Sequence, residues 1–160
     1  MKATHSRISI LIVALVLMLA AMPALAQSSL SPGDIPTYGS VALSAGFVPD
    51  PYEVAITSGG VYSASWELGS ACTGYINDAP DFNVRWSGAT EELFIGFTSS
   101  ADTTLVVRTP SGFYWCSDDV YGLDPEVLLS YPQAGTYQVW VGSYHSDEYN
   151  SGTLYVSEIG

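Results

Sequence analysis

The feature that most constrains this chain is a period-two alternation of apolar and polar residues, interrupted roughly every 8–12 residues by turn chemistry. Phe82-Asn83-Val84-Arg85-Trp86, Leu93-Phe94-Ile95-Gly96-Phe97 and Tyr137-Gln138-Val139-Trp140-Val141 all show it. In a strand, successive side chains leave opposite faces. Phe82, Val84 and Trp86 therefore share one inward face, and Leu93, Ile95 and Phe97 share another. Further strands are expected near 41–47, 53–57, 61–67, 72–76, 103–108, 113–116, 127–130 and 153–158. Ser58-Gly59-Gly60, Ser87-Gly88, Pro110-Ser111-Gly112, Ala134-Gly135 and Ser151-Gly152 punctuate them. No stretch sustains a helical period beyond about two turns. The pattern predicts an all-β chain, a β-sandwich or jelly-roll-like pair of antiparallel sheets.

The first residues read differently. Lys2, His5 and Arg7 form a basic head, Ile8 to Ala21 is almost unbroken apolar sequence, and Ala24-Leu25-Ala26 follows Pro23. This is the pattern of a cleaved signal helix over 1–26, with the mature chain starting at Gln27. The apolar run is shorter than the roughly 20 residues a membrane span needs, so no integral membrane segment is expected after cleavage. Residues 27–38, with Pro32, Gly33 and Pro36, read as a flexible leader, and 39–160 as a single, monomeric domain. Export places the protein outside the cell or in the periplasm.

Charge and cysteines narrow the partners. Beyond residue 26 only Arg85 and Arg108 oppose sixteen acids, and there is no lysine. Nucleic acid, which is bound mainly through Lys and Arg, is excluded as a partner. Cys72 and Cys116 form an even pair in an exported protein, which predicts one disulfide. Such a cross-link would stabilise the fold by roughly 4 kcal/mol in the chain-entropy picture.

Chemistry concentrates in the stretch from Ala101 to Pro125. Asp102 precedes a β-branched run, Pro110-Ser111-Gly112 reverses the chain, and an aromatic strand ends at Cys116, followed by Asp118, Asp119 and Asp124. The two ends of such a hairpin meet, so these carboxylates would share one corner of a sheet. Calcium, which takes oxygen ligands, is the candidate cofactor for Asp102, Asp118, Asp119 and Asp124. The alternative is that these acids hold turns by bonding to backbone amides. Trp140 lies on the face opposite Tyr137, Val139 and Val141, and with Phe94 and Tyr114 would make an aromatic platform for sugar or peptide. The alternative for Trp140 is to fill a second layer. Catalysis finds little support. His145 is the one histidine after residue 26, and flanking Ser143 and Ser146 complete no recognisable triad.

Several of these segments together resemble a known family. Cys72-x-Gly74-Tyr75-Ile76, Ala79-Pro80-Asp81-Phe82 and Ala101-Asp102-Thr103-Thr104-Leu105-Val106-Val107 come in order. Pro110-Ser111-Gly112, Trp115-Cys116-Ser117-Asp118-Asp119 and Gly135-x-Tyr137-x-Val139-Trp140-Val141-Gly142 follow. Over residues 60–159 the chain resembles the bacterial pre-peptidase C-terminal domain and its small secreted relatives. The resemblance implies a β-sandwich, export and a non-catalytic accessory role beside secreted proteases, although no protease domain accompanies it here. The expectation is a secreted, non-catalytic accessory or binding module, with calcium as stabiliser and a protein or glycan as partner. The alternative is a structural protein of the cell envelope surface that binds glycan or protein, and a small secreted hydrolase ranks third.

Overall fold

A computed structural model describes residues 28–160, and the expected signal helix over 1–26 lies outside them. The described residues form two sheets that bury their facing sides. In the first, β1 (Ser40–Ser44), β5 (Phe82–Ser87), β10 (Gly135–Ser143), β4 (Tyr75–Ile76) and β3 (Tyr62–Ser63) follow in that order. The same sheet gains β7 (Thr103–Arg108), which pairs with β10, and β8 (Tyr114–Ser117), which pairs with β7. The second sheet runs β2 (Tyr52–Thr57), β11 (Ser151–Ser157), β6 (Glu92–Ser99) and β9 (Glu126–Ser130). Only β1 and β5 pair in parallel; the other ladders are antiparallel. β10 organises the first sheet, pairing with β5 along Gly135–Val139 and with β7 along Gln138–Ser143.

The alternation sets the core as expected. Phe82, Val84, Trp86, Tyr137, Val139 and Val141 meet Leu93, Ile95, Phe97, Leu154 and Val156 in one cluster between the sheets. Each such side chain contributes about 1.5–3 kcal/mol relative to exposure. The hairpin forms as expected too. Leu105 to Arg108 pair with Ser117 to Tyr114, and Gly112, at a φ of 91°, closes the turn through its N–H to the Thr109 carbonyl.

Three expectations are corrected by the outer side of the first sheet. Residues 61–67 are not one strand: β3 ends at Ser63 and the chain turns into a short helix, α1 (Ala64–Leu68), that buries Ala64 and leaves Trp66 in solvent. Within the expected leader, the described residues 28–38 are not free either. Ser31 N–H donates to Asp78 O, Thr37 N–H to Pro80 O and Tyr38 N–H to Asp81 O, and Leu30 is buried. Trp140, finally, is not an exposed platform. Leu30, Ala64, Cys72, Ile76 and Val106 enclose it in a second apolar cluster, and its solvent exposure is 0%. Period two places Trp140 away from the main core; the docked leader and α1 then cover it.

Candidate metal centre

The corner where β7 begins and β8 ends brings three acids together. Asp102 stands one residue before β7, and Asp118 and Asp119 follow directly after β8. Because the strands are antiparallel, these positions converge. One carboxylate oxygen from each of Asp102, Asp118 and Asp119 lies within 4.8 Å of the others. Three oxygens at that limit lie about 2.8 Å from a common point, so a small inward shift brings them to the calcium–oxygen distance of about 2.3–2.6 Å.

Neighbouring elements hold the corner. The disulfide joins Cys72 to Cys116, with Cα atoms 5.1 Å apart, as the cysteine count predicts. It seats the next residue, Thr73, so that its hydroxyl donates to Asp118 Oδ2 at 3.1 Å. On the other flank, Tyr144 N–H donates to the Asp102 carbonyl at 3.2 Å. Beyond it the His145 ring packs edge-on against Tyr144, with centroids 5.0 Å apart.

The electrostatics of the corner are unfavourable for bare carboxylates. Burial raises the Asp102 pKa most, and the charges of Asp118 and Asp119 push it further against a lowering pull from His145. Asp118 is also raised, by burial first, while the Thr73 hydrogen bond opposes and Asp119 adds repulsion. Asp102 Oδ1 and Asp118 Oδ1 are buried and accept no hydrogen bond. Turn capping therefore accounts for neither atom. The residues present fit a hard divalent ion held through carboxylates, with water completing its shell.

The fourth predicted ligand belongs elsewhere. Asp124 Oδ1 accepts the Ser99 N–H at 2.9 Å, and Asp124 closes a tight turn with Tyr121, so it anchors the β8–β9 loop to the end of β6. The predicted aromatic set also separates. Tyr114 packs against buried Trp140 at 6.1 Å, while Phe94 lies in β6 of the other sheet, buried beneath the C-terminal Gly160. Ser143 does not face a catalytic partner: its buried hydroxyl bonds to Ser58 Oγ at 2.8 Å and accepts from Asn150 Nδ2. Thr73 is the contributor that sequence reasoning missed, and its place beside Cys72 was the available signal.

No protein-family model matches the chain, and no curated protein matches it. Among solved structures, the chain is similar to the pre-peptidase C-terminal domain of collagenase from Bacillus anthracis. The TM-score is 0.47 at 12% identity, over 78% of this chain and 100% of that one. It is also similar to PliG of Aeromonas hydrophila, a periplasmic lysozyme inhibitor of g-type lysozyme. There the TM-score is 0.43 at 11% identity, over 74% of this chain and 96% of that one. The first of these carries the name of the family that the sequence resembles.

Proposed function

We propose that this protein is an exported, non-catalytic binding module whose hairpin corner takes up a calcium ion through Asp102, Asp118 and Asp119. The observation that carries the reading is the pair of buried, unpartnered oxygens, Asp102 Oδ1 and Asp118 Oδ1, inside a group of three mutually close carboxylates. A divalent cation would offset both the repulsion and the missing hydrogen bonds, and would fasten the base of the hairpin to the Thr73 segment. The disulfide fits an oxidising compartment outside the cytoplasm. The non-catalytic part draws support from Ser143, whose hydroxyl is committed to Ser58 and Asn150.

A thermal melt with calcium and with chelator tests the proposal. Calcium at a hundred times its Kd adds about 2.7 kcal/mol to the folded state, enough to move Tm by several degrees. Asp118→Asn should remove most of that response. An unchanged Tm at millimolar calcium would leave the corner as a set of turn-holding acids and end the calcium reading.

A further inference from the structure

We infer that the turn end of the β7–β8 hairpin, together with the chain leaving β9, is a binding cleft for a neutral pyranose chain, with Trp115 and Tyr131 as its stacking rings. This names a partner class for the binding module proposed above and rests on that reading, though not on its calcium site. The two sites lie at opposite ends of β7, about 17 Å apart at the rise of an extended strand.

The cleft has a volume of about 290 Å³ and is lined by Thr109, Ser111, Trp115, Leu128, Tyr131 and Gln133 among others. Trp115, Thr109 and Ser111 also line a second hollow of about 280 Å³, closed by Phe113 and Tyr114. Trp115 thus borders both hollows, each near the lower size of a small-ligand site. Trp115 is 54% exposed and Tyr131 74% exposed, with Phe113 and Leu128 also open to solvent. Contiguous apolar surface of this kind marks an interaction site more often than scattered single residues do.

Tyr131 supplies an independent observation. Its φ is 49°, a left-handed conformation that bulky L residues adopt rarely and at a cost. The Tyr131 N–H fixes it by donating to the Glu91 carbonyl at 2.7 Å. The ring gains little burial in return, so the fold does not explain why a tyrosine stands where glycine would sit without strain. The opposite wall is equally fixed. Thr109 N–H donates to the Phe113 carbonyl at 2.8 Å, and Thr109 Oγ1 accepts the Phe113 N–H and meets Ser111 Oγ. A backbone fixed before binding on both walls leaves only side-chain freedom to be lost on it.

The lining selects the ligand. No charged side chain lines either hollow, although the molecule carries sixteen acids. Anionic ligands are repelled by the whole molecule, and cations find no carboxylate in the lining. A pyranose matches what is there. Its C–H face packs on an aromatic face, and its hydroxyls can bond to Ser111, Ser130 and Gln133. A peptide added as a strand would have only the four-residue edge of β8, and at its last residue Ser117 the Oγ already accepts the Glu126 N–H.

Calorimetric titration of the purified protein with cellohexaose, maltohexaose and hexa-N-acetylchitohexaose tests the inference, with heparin and decaproline for contrast. At least one neutral hexasaccharide should bind in chelator as well as in calcium. Trp115→Ala and Tyr131→Gly should each weaken it about tenfold. Tyr131→Gly should leave Tm equal or higher, because glycine accepts the positive φ, whereas a merely structural tyrosine would lower it. No binding of any neutral hexasaccharide at ~10 mM overturns the inference. So does binding that both variants retain, or binding of heparin or decaproline alone. Calcium stabilisation without saccharide binding overturns this inference only, and saccharide binding without calcium stabilisation overturns the calcium reading only.

Discussion

Asp81 shows how much one residue can carry outside any functional site. Its carboxylate is fully buried, accepts the Val141 N–H at 2.7 Å and the Asn77 amide at 3.3 Å, and so pins the start of β5 to β10. Burial pushes its pKa up to about 7, and the two hydrogen bonds only partly oppose that. The folded value exceeds the unfolded one, so the folded state holds the proton more tightly. The associated stability is complete below about pH 4 and is lost as pH rises through 7. Without calcium, unfolding free energy should therefore fall between those limits, by up to roughly 4 kcal/mol from this residue, and Asp81→Asn should flatten the slope. Denaturant melts at several pH values check it, and an unchanged slope in the variant would show that Asp81 is not its source. Calcium acts in the opposite sense, because Asp102 and Asp118, both raised, must lose their protons to bind it. Asp81 lies in a segment that carries the family resemblance, but nothing local distinguishes a buried acid from an exposed one ahead of a strand.

At the level of elements, the hairpin and the layer over Trp140 make a useful contrast. The hairpin was legible because every cue for it is local: a β-branched run, a Pro-Ser-Gly turn and an aromatic strand. Its meeting ends follow from antiparallel pairing, so the proximity of Asp102 to Asp118 and Asp119 was legible as well. Asp124 was not separable from them, because its partner Ser99 sits in β6 of the other sheet. The same limit applies to Trp140 and Trp115. Alternation says which side of a strand a ring leaves from, but not whether another segment covers that side. Trp140 is covered by Leu30, α1 and Ile76, while Trp115 stands near the free edge of β8 and stays open. Trp140→Ala should then cost about 3–5 kcal/mol, the range for emptying a large buried aromatic site. Chemical denaturation measures it, and a loss below 1 kcal/mol would mean that the outer layer packs far more loosely than its burial indicates.

For the whole molecule, the disulfide ties the outer layer to the sandwich, since Cys72 follows α1 and Cys116 ends in β8. Cys72→Ser should lower stability by up to roughly 4 kcal/mol and should also weaken calcium binding, because Thr73 would lose its fixed place beside Asp118. Equal Tm in oxidised wild type and variant would rule out the first effect, and equal calcium affinity the second. By itself the sequence determined most of the strands, the residues that face the inner core, the hairpin and the pairing of its two cysteines. Those follow from side-chain period, turn chemistry and a count of two. Only the tertiary structure decided that the leader docks, that Trp140 is sealed, that Asp124 leaves the acid corner, and that Trp115 and Tyr131 share a cleft. Each of these depends on a contact between segments far apart in the chain, and burial at such a contact is a property of both partners rather than of either local pattern.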